Sequence, residues 1–131
     1  MSQSASALAP VMVVNSEPTF LQGIGLLLEE EGYRAVTMHI RETTFGVIRG
    51  LAPRLLILDF VHARPEAWDL LTALDADPAT AALPILATST DEEVLARVQT
   101  HSPERRLLRV LVKPMNLDDL LVAVQGLCGQ P

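Results

Sequence analysis

Four absences narrow the chemistry of this chain before any of its motifs is read. Cys128 is the only cysteine, so no internal disulfide can form, and a lone thiol fits a reducing cytoplasm. Apolar runs stop at about five residues, far short of the roughly 20 that a membrane-spanning helix needs. Positive charge is scarce: 10 Lys and Arg stand against 16 Asp and Glu, for a net charge of −6. That argues against nucleic-acid binding, because backbone contact needs a basic face. No glycine-rich phosphate loop follows the first apolar segment, no nucleophile–base pair stands out, and only 3 histidines are available. A small nucleotide-binding or hydrolytic enzyme is disfavoured on those grounds.

What remains describes one domain of ordinary size. The chain has 131 residues, 49% of them apolar, with a mean hydropathy of +0.28, enough to bury a core of its own. Residues 1–9 are rich in Ser and Ala and lack the basic stretch of a secretory signal. They are expected to form a flexible tail, and residues 10–131 a single cytoplasmic domain. Cys128 reads as a small apolar filler of the last helix.

Short apolar runs alternate with helical periods five times. Val11 to Val14 is the first strand. From Pro18 onward, Phe20, Leu21, Ile24, Leu27 and Leu28 recur at helical spacing. Pro18 suits the first turn of that helix and Gly32 its stop. Gly23 and Gly25 weaken it by roughly 1 kcal/mol each relative to alanine, which suggests that both let the helix lie close to the sheet. A second strand is expected over Arg34 to Met38. A helix follows over Glu42 to Leu51, with Phe45 and Ile48 inward and Pro53 closing it. The third strand is Leu55 to Asp59. Trp68, Leu71 and Leu74 mark the third helix, and Pro84 to Ser89 the fourth strand. Thr90 to Glu93 has the form of a capping box with Thr90 as the cap. Leu108 to Val112 is the fifth strand. Asn116 caps a last helix whose Leu117, Leu120, Leu121, Val124 and Leu127 form an apolar stripe.

Repeated strand–helix units mean an α/β doubly wound fold: a five-stranded parallel sheet with helices on both faces. The first, third and fourth strands are the most apolar, which suits the middle of the sheet. In such sheets the carboxyl ends of the strands converge on one rim, where ligands bind. Asn15, Ser16, Glu17, Asp59, Ser89 and Lys113 all fall on that rim.

Those residues carry a resemblance. Asp59 closes an apolar strand, Ser89 follows Pro84-Ile85-Leu86, and Lys113-Pro114 follows a short fifth strand. Glu17-Pro18 after the first strand and Gly32-Tyr33 before the second fit the same pattern. Over residues 10 to 128 the chain resembles a response-regulator receiver domain, similar to the chemotaxis single-domain regulators. The resemblance implies a flavodoxin-like fold and a non-enzymatic role in bacterial two-component signalling. Asp59 would accept a phosphoryl group from the phosphohistidine of a histidine kinase or phosphotransfer protein. Lys113 would set its ammonium on the phosphate oxygens, across a cis Lys113-Pro114 bond, and Ser89 would move to bond the phosphoryl group. A downstream protein target would dock on the face of the fourth helix, fifth strand and fifth helix, Arg97 through Arg109, where a homodimer could also form.

The departures are as informative. The family has two acids where this chain has Asn15 and Ser16, and they hold the Mg²⁺ that transfer needs. Asp59 and Glu17 are the carboxylates left for that ion, which prefers octahedral oxygen ligands. Removing one charge at about 4 Å from a divalent ion removes roughly 8 kcal/mol of attraction at an effective dielectric near 20. Neutral oxygens of Asn15 and Ser16 leave weak binding open. Val110 stands where such regulators often carry a switching aromatic. Residues 101–106 replace a small Gly-Ala pair, His62-Ala63 replaces a Met-Pro turn, and Ala67 stands where a glycine is usual.

Blander readings stand beside these. Asp59 with Lys113 is also read as a simple ion pair at the sheet rim, and Ser89 as a neighbour of a helix cap. His62 is read as a solvated loop residue or a phosphate or metal contact; His39 and His101 are too isolated to suggest a site. Trp68 suits helix packing better than a ligand platform. Arg105, Arg106 and Arg109 suit a solvated edge, or a contact for phosphate or an acidic partner. Two functions follow: a phosphoaccepting receiver, or a receiver-like module that binds proteins without phosphorylation.

Overall fold

The computed structural model describes residues 9–61 and 64–131. Residues 1–8 of the expected tail, and His62-Ala63, lie outside the described residues. Strands and helices alternate along the chain: β1 (Val11–Asn15), α1 (Pro18–Glu30), β2 (Ala35–His39), α2 (Thr44–Leu51), β3 (Leu55–Asp59), α3 (Glu66–Ala76), β4 (Ile85–Ser89), α4 (Glu92–His101), β5 (Leu108–Val112) and α5 (Leu117–Cys128). The strands form one sheet in the order β2-β1-β3-β4-β5, with every neighbouring pair parallel. β1, β3 and β4 are buried at every residue, so the uniformly apolar strands are the inner ones, as covering on both faces demands.

Side-chain alternation sends each strand's residues into two separate cores. Val13, Ile57 and Leu86 pack with Leu21 and Leu28 of α1 and Leu120 and Val124 of α5. Met12, Val14, Leu58 and Ala87 pack on the other face with Ile48 of α2, Leu71 and Leu74 of α3, and Val94 and Val98 of α4. The helices therefore divide two and three across the sheet.

Local chemistry sets the helix ends. Pro18 opens α1 and the Glu17 side chain caps it. Gly32 closes it at φ +97°, a conformation that costs glycine nothing. Ala52 takes φ +47° after α2, ahead of Pro53. Asn116 caps α5 by accepting from the Asp118 N–H at 2.7 Å.

Several expectations change here. β2 begins one residue later than the pattern suggested. α2 starts at Thr44, because Arg41 and Thr44 close a turn first: the Arg41 N–H donates to Thr44 Oγ1 at 2.9 Å. Asp91, not Thr90, caps α4, its carboxylate accepting from the Glu93 N–H at 2.9 Å; the charged acceptor one residue on has the reach. Leu117 is exposed, since the buried stripe of α5 runs through Leu120, Ala123, Val124 and Leu127. Arg105 is buried rather than solvated, whereas Arg106 and Arg109 are exposed, as expected.

The two glycines of α1 separate as well. A Cβ on Gly25 would come within 3.0 Å of Thr37 Cγ2 on β2, while one on Gly23 would meet nothing within 4 Å. Only Gly25 serves close approach. Gly23→Ala is therefore expected to raise stability by roughly 0.5–1 kcal/mol, and Gly25→Ala to forfeit that gain to steric displacement of β2. Urea unfolding of the two variants reads the contrast.

Candidate functional site

The last rung of the sheet turns polar on one face. Val14 pairs with Leu58 across β1 and β3, so Asn15 comes beside Asp59; Asp59 in turn pairs with Thr88 on β4. Alternation then aims Asn15, Asp59 and Thr88 to the side of α1 and α5, one rung above Val13, Ile57 and Leu86. All three are buried.

Asp59 is held by a cation and a hydroxyl. The Lys113 ammonium lies 2.7 Å from Asp59 Oδ1, with the two side chains 19% and 5% exposed. Thr88 Oγ1 donates to the same oxygen at 2.7 Å. Burying a carboxylate is costly unless it is paired and hydrogen-bonded, and Asp59 is both. Lys113 also sits 4.7 Å from the centroid of the Phe20 ring on α1, a cation–π distance. Its backbone N–H donates to Ser89 O at 2.8 Å, and the Lys113–Pro114 bond is cis.

Ser89 is turned away from the carboxylate. Its hydroxyl donates to Phe60 O at 2.7 Å and accepts from the Asp91 N–H at 3.2 Å. Asn15 Oδ1 accepts from the Ser16 N–H at 2.6 Å and the Glu17 N–H at 2.9 Å. Two backbone donors fix which end of the amide is oxygen, so the nitrogen faces inward. Among the described residues, Asn15 Nδ2 is buried and has no hydrogen-bond partner. The Glu17 carboxylate accepts from the Thr19 and Phe20 N–H groups at 3.1 and 2.9 Å, at the exposed start of α1. Ser16 lines a crevice of only about 10 Å³ over Asp59, with Ile40, Val61 and Arg64.

This donor set does not fit Mg²⁺. The ion needs oxygens, with one or two carboxylates among them. Asn15 has both lone pairs of its oxygen engaged and turns an amide nitrogen, which has no lone pair to offer, into the interior. Glu17 is committed to its helix. Among the described residues, no group of three or more His, Cys, Asp and Glu could hold a metal ion.

The rim thus brings Asn15, Asp59 and Lys113 together, keeps Ser89 adjacent but otherwise bonded, and leaves the Glu17 carboxylate out. Thr88 and Phe20 are its unforeseen members. Counting back one residue from Ser89 would have put Thr88 opposite Asp59; nothing in the sequence pairs Phe20 with Lys113. His62 lies outside the described residues. Trp68 packs between helices: its ring meets Phe60 edge-on at 5.0 Å and His101 at 5.4 Å, with the Arg97 guanidinium 5.8 Å away. His101 also contacts Thr72 Oγ1 at 3.1 Å, so it belongs to this packing cluster. His39 contacts the Ile40 carbonyl at 2.9 Å.

A parallel sheet in this order, with an acid ending its central strand and a lysine before a cis proline beyond its last, is the flavodoxin-like fold of a response-regulator receiver domain. Solved structures agree. The chain is similar to the response regulator receiver protein from Pseudomonas putida, at 25% identity and a TM-score of 0.72 over 89% of this chain and 96% of that one. It is also similar to the chemotaxis response regulator CheY4 of Vibrio cholerae, at 19% identity and a TM-score of 0.77 over 91% and 98%. A receiver domain protein from Clostridium thermocellum superposes at a TM-score of 0.76, with 19% identity over 92% and 94%. No protein-family model and no curated protein matches the sequence.

Proposed function

We propose that this chain is a signalling receiver of a two-component pathway that works by protein contact, without Mg²⁺-assisted phosphoryl transfer to Asp59. One observation carries the reading: Lys113 and Thr88 both engage Asp59 Oδ1 at 2.7 Å, while the side-chain oxygens of Asn15, Glu17 and Ser89 are bonded elsewhere. Phosphoryl transfer brings a charged donor onto a carboxylate, and metal ions ordinarily neutralise the charge that develops. Here the ammonium already balances Asp59, the Glu17 carboxylate caps its helix, and Glu66, which also lines the crevice, lies beside Arg64. The protein is then a binding module rather than an enzyme. Its partners are a histidine kinase or phosphotransfer protein on one side and a downstream protein target on the other. The face of α4, β5 and α5 suits such contacts, or a homodimer, because Leu107, Val112 and Val122 are exposed there.

A second reading keeps a phosphoacceptor without metal. Its support is that Asp59 Oδ2 takes part in no hydrogen bond among the described residues, so one carboxylate oxygen stays open to a donor. No helix of the described residues is long and apolar enough to cross a membrane.

Thermal unfolding in rising Mg²⁺ tests the proposal. A folded-state site would stabilise the protein by about 1.4 kcal/mol at ten times its Kd. We expect no Mg²⁺-specific stabilisation beyond that given by the same ionic strength of a monovalent salt. A saturable rise with Mg²⁺ that disappears in Asp59→Asn would count against it.

A further inference from the structure

We infer that the groove between α2 and α3 is a docking site for a basic amphipathic segment of a partner protein. This deepens, and rests on, the reading that the chain works through protein contacts. The groove is open to solvent and has a volume of about 640 Å³. Its floor is apolar, made by Ile40, Phe45, Leu70 and Ala73, and its lip carries Glu42, Glu66 and Asp69 against a single cation, Arg41. The balance of the lining is three acids less one base, a net −2.

Among the described residues that charge is only partly countered. Glu42 and Asp69 carry no ion pair among the described residues, and Glu66 has only a loose one to Arg64 at 3.9 Å, both side chains being largely exposed. Glu66 and Asp69 lie in the first turn of α3, where the helix dipole favours acids. Glu42 precedes the N-cap of α2, so all three acids sit near helix N-termini and face the same groove. An apolar floor under an acidic lip selects a helix with an apolar stripe flanked by Lys or Arg, laid in as a helix in a groove. Position adds weight: Ile40 and Glu66 line both this groove and the crevice over Asp59. A bound segment would therefore lie against the receiver rim, on the opposite side from the α4–β5–α5 face.

The test uses the full chain and two synthetic helical peptides, each with leucine at i, i+3, i+4 and i+7. One carries lysine and the other glutamate at the remaining positions. Binding is followed by fluorescence anisotropy and mapped by amide chemical shifts. We expect the lysine peptide to bind and shift α2 and α3 resonances, and the glutamate peptide to fail. Ala73→Arg, which fills the groove, and the triple change Glu42→Gln, Glu66→Gln, Asp69→Asn should each weaken binding at least about tenfold. A matched triple change elsewhere, Glu30→Gln, Asp118→Asn, Asp119→Asn, should weaken it far less, and circular dichroism verifies that each variant is folded. Equal weakening by both triples would reduce the effect to net charge and overturn the proposal. So would shifts confined to another face, or no binding. A concentration-dependent dimer abolished by Ala73→Arg would give the groove to a second copy, and overturn it too. The assay contains neither Mg²⁺ nor phosphodonor, so its failure counts against the groove alone.

Discussion

Arg105→Ala is expected to cost about 3–5 kcal/mol of stability and to lower Tm by roughly 10–20 °C. The Arg105 side chain is 2% exposed and each of its three guanidinium nitrogens donates a hydrogen bond. Nε donates to Asp75 Oδ1 at 2.9 Å and Nη2 to the same oxygen. Nη1 donates to the carbonyls of Thr80 at 3.1 Å and Leu83 at 2.6 Å. Ser102 Oγ donates to the other Asp75 oxygen. One guanidinium thereby ties the end of α3, the loop into β4 and the turn after α4 at the end of the sheet away from the Asp59 rim. Truncation would leave the Asp75 carboxylate with Ser102 as its remaining donor and remove the donors of two carbonyls, which is why the cost exceeds that of a surface pair. Arg106→Ala, one residue on and exposed, is the control and should change Tm little. Thermal unfolding of the two variants decides; similar small losses would mean that the clamp does not hold in solution.

Lys113→Met carries the second large effect. It leaves Asp59 buried with only the Thr88 hydroxyl as partner, and is expected to destabilise the fold by about 1–3 kcal/mol, the partial exposure of Lys113 tempering the full buried-pair value. Adding Asp59→Asn to Lys113→Met should recover much of the loss, because the amide has no charge to strand and its oxygen still accepts from Thr88. The coupling between the two sites in a double-mutant cycle should be favourable by about 1 kcal/mol or more. The sign is diagnostic. In a pocket of clustered acids, Asp59→Asn in the otherwise natural protein relieves repulsion and stabilises; here it removes the counter-ion of Lys113 and should destabilise. Urea unfolding of the four proteins measures both quantities.

Much of this architecture was legible in the chain because burial writes itself into apolar patterning. The runs at Val11, Leu55 and Ile85 mark strands covered on both faces, and they are the three inner strands. Boundaries failed where a polar side chain competed with the backbone: Thr44 delays α2, and Asp91 rather than Thr90 caps α4. The rim was legible as a set of positions but not as a set of bonds. Sequence places Asn15, Ser16, Asp59, Ser89 and Lys113 at strand ends. It does not tell that Asn15 turns its oxygen to two backbone N–H groups, or that Glu17 is bound to α1. Those outcomes depend on side-chain rotamers set by the turn after β1. The Arg105–Asp75 clamp joins residues 30 apart in sequence, and no periodicity announces such a pair.

We propose Asp59 as a paired carboxylate rather than a metal-assisted phosphoacceptor. Intact-mass spectrometry tests it most directly. The protein is incubated with Mg²⁺ and acetyl phosphate beside a receiver that retains both pocket acids, and each is weighed. A phosphoryl adduct is expected on the comparison receiver and none on this chain. An adduct on this chain that requires Mg²⁺ and vanishes in Asp59→Asn would contradict it.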